Sequence, residues 1–428
     1  MTGQLSSMRN DGCLSGPESM FRAQSTDAVI DSPEYRNTVV ARPILSLSTR
    51  VKTVVVTTSS AIAALAVALP ATASAVPSLP SKALHQAASP VRLIAVFEPD
   101  DRRLISNGYP ELRERIGLLM NAATQSICTA FCVAPDIVAT AGHCIAGTVS
   151  QPAGDVARLR FRRDTAKGPG IPIQGANDGT FNQHIVMGAE RLNTRPPINA
   201  ASDWALLRLA KNACSAGGLR LSSRTADAVA ADAARGRIYN LAYHRDLAHW
   251  NLAVATPCSI ISRRKAGEPE QVSRDFERAE DLLLHTCDTE AASSGSPLLV
   301  NGEHGPEVVG INVGTYVRSR VVTHDDRIVE RLNTEVISNT ALLAAPLIEP
   351  LDAFTNGQLL TTTGEIDQLQ AHFIAQGLQP GPRDGRYGPL TRKAIEIYEA
   401  RVGLPITGLA TRSLLKRLEM TTSVRAQR

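Results

Sequence analysis

Between about Arg92 and Ala345 the apolar residues come in short runs. Ile137 to Thr140, Ala205 to Leu209, Leu298 to Val300 and Val308 to Val313 are each a few residues long, with Gly, Pro, Asn and Asp between them. Aliphatic and β-branched runs of this length, bounded by turn formers, predict many short strands. Ala-rich pieces such as Thr225 to Arg235 predict helical or loop insertions. Beyond Pro350 the period changes. Ile366, Leu369 and Phe373 recur at helical spacing, then Ala394, Ile395, Tyr398 and Val402, then Leu414, Leu415 and Leu418. Pro380-Gly381-Pro382-Arg383-Asp384-Gly385 marks a turn between the first two groups. The chain is therefore read as multidomain. An all-β domain spans 92–345, a linker 346–364 (Thr- and Gly-rich from Asp352 to Gly364), a small all-α domain of three helices 365–420, and a tail 421–428.

The N-terminal stretch has a different character. Arg50 and Lys52 precede Thr53 to Leu69, whose apolar heart is Ala61 to Leu69, and Pro70-Ala71-Thr72-Ala73-Ser74-Ala75 follows. A positive flank, a short apolar run and overlapping Ala-x-Ala sites predict a secretory signal peptide, cleaved after Ala73 or Ala75. A membrane anchor is disfavoured because Thr57, Thr58, Ser59 and Ser60 cut the run below spanning length. Residues 1–75 are thus read as a leader. Its polar part, Met1 to Thr49, is longer than an ordinary n-region, and Met20 is an alternative start. Residues 76–91, rich in Pro, Ser and Ala, read as a flexible segment or pro-segment.

Export changes how the cysteines are read, because thiols outside the cytoplasm pair oxidatively. Seven are present, and Cys13 lies in the leader. The remaining Cys128, Cys132, Cys144, Cys214, Cys258 and Cys287 fit three disulfides, which six cysteines can form in fifteen ways. No Cys-x-x-Cys pair occurs, so no metal is expected, nor any cofactor. A net charge of +4 over 428 residues gives no argument for a nucleic-acid partner.

Three segments carry chemistry, in chain order. Ile137-Val138-Ala139-Thr140-Ala141-Gly142-His143-Cys144 is a strand running into small residues and a histidine. Ser202-Asp203-Trp204-Ala205-Leu206-Leu207-Arg208-Leu209 puts an acid at the mouth of an apolar strand. Cys287-Asp288-Thr289-Glu290-Ala291-Ala292-Ser293-Ser294-Gly295-Ser296-Pro297 leads a serine into a tight turn before Leu298-Leu299-Val300. A serine hydroxyl is a poor nucleophile at neutral pH. It needs an imidazole to take its proton, and the imidazole needs a buried carboxylate to fix its tautomer. Ser294, His143 and Asp203 can fill those roles.

Thr140-Ala141-Gly142-His143-Cys144, Asp203-Trp204-Ala205-Leu206-Leu207 and Ser293-Ser294-Gly295-Ser296-Pro297 together resemble the chymotrypsin-like (trypsin-fold) serine endopeptidases. The bacterial branch that includes the glutamyl endopeptidases is the closest in flavour, and the order His, Asp, Ser is that family's. The resemblance covers roughly residues 92–345. It implies two β-barrels with the active site between them, the first bringing His143 and Asp203 and the second Ser294. It also implies Cys128 with Cys144, closing the histidine loop. Cys258 with Cys287 would then brace the loop before the nucleophile, leaving Cys132 with Cys214. The oxyanion donors would be the amides of Ser294 and Ala292.

Two residues depart from the family. Ala292 stands where a glycine is usual, in a backbone conformation that a β-carbon resists. Ser293 replaces the acid that in digestive members pairs with a newly cut N-terminus, so that activation switch is not expected. Asp288, six residues before Ser294, falls where trypsins hold the carboxylate that recognises Lys or Arg; the alternative is that it orders its own loop. Thr289 matches a threonine of the glutamyl-specific members, but Asn312 falls where they carry a histidine, which argues against a Glu preference. Asn312, Val313 and Gly314 would line the backbone of the substrate.

In the C-terminal part, Gly381-Pro382-Arg383-Asp384-Gly385-Arg386-Tyr387-Gly388, Thr391, Ala394-Ile395, Gly403-Leu404-Pro405 and Thr407-Gly408 resemble the peptidoglycan-binding domain of bacterial wall hydrolases. Tight turns there would present Arg386 and Tyr387, a cation and an aromatic, to an anionic glycan-peptide. Tyr398-Glu399 replaces the usual Phe-Gln. The leading expectation is an exported serine endopeptidase, periplasmic, wall-associated or secreted, acting on a protein or peptide. It would be monomeric and tethered to peptidoglycan, with no stable membrane span once the signal is cleaved. The competing expectation is a silenced protease-like protein that only binds peptidoglycan.

Overall fold

The computed structural model describes residues 29–33, 95–105, 108–121, 126–149, 156–174, 184–247, 250–261, 269–324 and 327–426. Apart from 29–33, the leader and the segment 76–91 lie outside the described residues. Two curled antiparallel sheets build the β part. In the first, seven strands run in the order Ile171–Pro172, Leu159–Arg163, Ile116–Asn121, Ser126–Ala134, Ile137–Ala141, Trp204–Arg208, Ile185–Met187. The second orders Leu282–His285, Arg327–Leu343, Gly305–His324, Pro297–Gly302, Ile238–Ala242, Ala253–Ala255 and Arg103–Leu104. Each sheet curls into a half-barrel, as the short punctuated runs suggested. The Ala-rich insertion is helical from Ala226 to Ala234, where the Thr225 hydroxyl accepts the Ala228 amide.

Every residue of Ile137–Ala141 and Ile238–Ala242 is buried. Strands covered on both faces lose the polar alternation of a half-exposed strand, which is why these runs read as continuously apolar. Disulfides join Cys128 to Cys144, Cys132 to Cys214 and Cys258 to Cys287.

The helical part contains Thr363–Ala375, Pro389–Val402 and Arg412–Ala426. Its core is Ile366, Leu369, Phe373, Ala394, Ile395, Tyr398, Leu414, Leu415 and Leu418, with Val402 packed on the edge. A capping box starts the first helix: Thr362 accepts the Glu365 amide, and Glu365 accepts the Thr362 amide.

The span read as a linker is more ordered than its composition suggested. Ile348–Thr355 is a helix. Ala353 and Phe354 are buried, and the Arg208 guanidinium lies 4.7 Å from the Phe354 ring centroid while donating to the Phe354 carbonyl at 3.1 Å. Leu347, Leu351 and Phe354 recur at helical spacing, so the segment packs an apolar stripe on the β part. Among the described residues, no helix is long and apolar enough to cross a membrane.

Candidate active site

Strand register brings the histidine and the acid together. Ala141 pairs with Trp204 and Thr140 with Ala205, so the residues just beyond this pair, His143 and Asp203, lie side by side at one end of the ladder. Gly142 makes the approach possible, since a β-carbon there would lie 3.1 Å from Asp203 Oδ1 and 3.2 Å from the Trp204 amide nitrogen. His143 donates its amide to Asp203 Oδ1 at 2.7 Å, and its ring Nδ1 lies 2.7 Å from Asp203 Oδ2. Both side chains are buried. One carboxylate therefore fixes both the backbone and the ring of the histidine. With Nδ1 bound to an acceptor, the proton sits on Nδ1 and Nε2 carries the basic lone pair.

Ser294 belongs to the second sheet but is held by the first. Its carbonyl accepts the Thr129 amide at 2.9 Å, and Cys144 Sγ, next to His143, lies 4.0 Å from the same oxygen. A tight turn carries it: Ser296 donates its amide to the Ser293 carbonyl at 2.9 Å, with Gly295 between them at φ +84°. Only glycine fits there. A β-carbon at Gly295 would lie 2.1 Å from Thr140 Oγ1 and 2.3 Å from the Thr129 carbonyl. Asn240 braces the far side, donating to Ser296 Oγ at 2.9 Å and to the Pro297 carbonyl at 3.0 Å.

Ala292 has φ +82°, the conformation expected of the glycine it replaces. Two contacts hold it there. The Arg245 amide donates to the Ala291 carbonyl at 2.7 Å, and Thr129 Oγ1 donates to the Ala292 carbonyl at 2.8 Å. In a trans peptide N–H and C=O point in opposite directions, so the Ala292 amide points away from Arg245. Thr129 is the residue that sequence reasoning missed. It is fully buried; its hydroxyl also accepts the Tyr243 amide at 3.1 Å, and its carbonyl accepts the Thr140 hydroxyl at 2.8 Å. One threonine thus ties both sheets to the loop between Ala292 and Ser294. Its place beside Cys128 was the only hint in the sequence.

The expected substrate residues are placed differently from one another. Asp288 is buried, and its two carboxylate oxygens accept the amides of Phe97 at 2.6 Å and Asp101 at 2.8 Å. It orders an N-terminal strap across its loop, the alternative left open above, rather than pointing bare into a pocket. Thr289 continues that contact, bridging to Ala95, whose carbonyl also accepts from Asn339 at 3.0 Å. Burial and the neighbouring Asp288 raise Asp101 to about 6.

Asn312 turns inward. Its amide donates to the Ser296 carbonyl, its carbonyl accepts the Gly295 amide, and its side chain joins His285 at 3.2 Å to Ser293 Oγ at 3.2 Å. Its main-chain N–H and C=O are therefore both committed to the nucleophile loop. Burial pushes His285 down to about 3, so this network is uncharged. Val313 and Gly314 are buried beyond it on the same strand. Ser293, replacing the expected acid, is the end of this neutral network.

Cys128, Cys144 and His143 have ligand atoms within 4.8 Å of one another. The two sulfurs are bonded together and Nδ1 is held by Asp203, so this cluster is no ligand set. In the helical part, Arg386 is exposed, whereas Tyr387 packs on the core and donates its hydroxyl to the Gly408 carbonyl. Burial pushes that phenol up to about 12. Through that bond Tyr387 anchors the turn. Glu399 closes the same region by accepting the amides of Thr407 at 2.7 Å and Gly408 at 2.8 Å.

Two curled sheets, with a histidine–aspartate pair on one and a serine turn on the other, define the trypsin-like peptidase class. Residues 128–311 match the family model described as a trypsin-like peptidase domain, and residues 362–418 match that of a putative peptidoglycan binding domain. The chain thus joins a trypsin-like peptidase domain to a peptidoglycan-binding domain, the architecture its motifs implied. No curated protein matches the chain.

Proposed function

We propose that the protein is an exported serine endopeptidase, held at peptidoglycan by residues 362–418 and acting through Ser294, His143 and Asp203. The observation that carries this reading is the buried His143–Asp203 pair, bonded at both the ring and the backbone. Ser294 Oγ attacks the peptide carbonyl while His143 Nε2 takes its proton. Asp203 holds the Nδ1 proton and stabilises the imidazolium that forms. The amides of Ala292 and Ser294 receive the oxyanion. Collapse of the tetrahedral adduct expels the amine, protonated by His143, and leaves an acyl group on Ser294. Water, activated by the same histidine, then hydrolyses it.

Export rests on the leader pattern and is compatible with three disulfides. The β-carbon of Ala292 at positive φ favours the second reading, a silent domain that only binds peptidoglycan. A fluorophosphonate probe on the purified mature chain separates the two. Labelling of Ser294 that disappears in Ser294→Ala is expected, and an unlabelled wild-type chain would sink the peptidase reading.

A further inference from the structure

The two domains form a half-open cavity of about 300 Å³ at their junction, which the peptidase mechanism does not use. From the peptidase side come Glu277 and Arg278; from the peptidoglycan-binding side come Lys393, Glu396, Ile397 and Ile406. Across the junction, Arg392 of the helix Pro389–Val402 donates to the carbonyl of Met187, on a strand of the first sheet, at 2.7 Å, and within its own domain it donates to the Thr407 carbonyl at 3.1 Å.

Each wall offers the same chemistry. Arg278 has a left-handed backbone, φ +51°, a strained state for a side-chain-bearing residue. It directs its guanidinium to Ser202 Oγ at 2.6 Å, one residue from Asp203, and stands 3.6 Å from Asp281. Those contacts leave guanidinium donors uncommitted. Beside it, the exposed Glu277 carboxylate has no partner among the described residues. Across the cavity, Lys393 and Glu396 repeat the pair of signs at 3.2 Å, with the lysine 67% exposed. Between the charged groups lie two exposed aliphatics, Ile397 and Ile406. Trp204, at the base, is 4% exposed, and its ring packs against Gly188, where a β-carbon would lie 2.3 Å from the indole nitrogen. Among the described residues that line the cavity, no aromatic face is therefore free to stack on a sugar.

We propose that this cavity is a subsite for the peptide part of peptidoglycan: a short stem carrying carboxylates, a free amine and methyl side chains. Stem carboxylates meet Arg278 and Lys393, the amine meets Glu277 and Glu396, and alanine methyls pack on Ile397 and Ile406. The volume is at the small end of ligand pockets, which suits a few residues of peptide and not a glycan strand. The inference rests on the peptidoglycan-binding reading and deepens it, because half of the recognition then comes from the peptidase domain.

The test is calorimetric titration of the full chain with a synthetic stem tetrapeptide, Ala-γ-D-Glu-diaminopimelyl-D-Ala, and separately with peptide-free glycan fragments. Sedimentation of each protein with insoluble peptidoglycan runs in parallel. The tetrapeptide binds, and Arg278→Ala weakens it about tenfold or more through loss of charge-assisted hydrogen bonds. Lys393→Glu and Ile406→Asp, both at exposed positions, weaken it similarly and carry the test if Arg278→Ala fails to fold. A chain that sediments with peptidoglycan, yet ignores the tetrapeptide or binds it equally in all variants, overturns the subsite and leaves wall binding intact. Heat exchange with peptide-free glycan alone also overturns it. Failure to sediment, together with no tetrapeptide binding, removes both readings.

Discussion

Thr129→Val removes one hydroxyl at nearly constant volume and tests how the oxyanion loop is held. The Ala292 carbonyl loses its donor at 2.8 Å and the Tyr243 amide its acceptor at 3.1 Å, both in buried surroundings. Each orphaned buried group costs about 1–3 kcal/mol, so the variant should lose about 2–6 kcal/mol in urea unfolding. A second effect follows from the backbone. An L-residue in a left-handed conformation carries about 1–2 kcal/mol of strain, and Ala292 keeps φ +82° because the carbonyls on either side of its amide are tied down. With one tie gone, the loop relaxes and its amide leaves the oxyanion position. Loss of one such donor is worth about 10²- to 10³-fold. The assay is the rate constant for fluorophosphonate inactivation, which needs no knowledge of the natural substrate and produces an oxyanion-like adduct on Ser294. Thr129→Ser, which keeps the hydroxyl, should restore most of the rate. A folded Thr129→Val protein inactivated within threefold of the wild-type rate would refute the reasoning.

Asp203→Asn keeps the shape of the carboxylate but cannot accept from both the His143 amide and Nδ1–H. The inactivation rate should fall about 10⁴-fold with little change in melting temperature, and a fall below tenfold would remove Asp203 from its role. Asp101→Asn probes the strap on Asp288. A carboxyl raised from 3.8 to about 6 contributes stability that is present below its unfolded value and is lost as pH rises through 6. The wild type should therefore lose melting temperature relative to the variant between about pH 4 and 6, and parallel curves over pH 3.5–7 would show that the strap does not titrate. Replacing both cysteines of a disulfide by serine should cost about 4.5 kcal/mol for Cys132–Cys214, whose cysteines are 82 residues apart. For Cys128–Cys144, 16 apart, it should cost about 3 kcal/mol; equal losses in urea unfolding would contradict the loop-closure account.

The parts of the site that could be read in the sequence were those set by local pattern. His143, Asp203 and Ser294 each end or begin a short apolar strand, and ladder register then carries the first two together. Ala292 was visible as a departure because its neighbours form a motif, and its positive φ follows from that motif's turn. Thr129, Arg245 and His285 gave no such signal, because their roles depend on hydrogen bonds to residues 163, 46 and 27 positions away. Asp288 and Asn312 could be located by family position but not oriented: the amides that claim Asp288 come from a segment 187 or more residues earlier.

By itself the sequence determined the alternation of short strands, the change to helical period after Pro350 and the three chemical motifs, because periodicity and turn chemistry act over a few residues. Only the tertiary structure decided what each polar group faces. It set Asp203 against both the amide and the ring of His143, turned Asn312 inward, and built a cavity from charges on two domains. Those outcomes follow from burial, where every donor and acceptor must find a partner wherever the chain brings one within 3 Å.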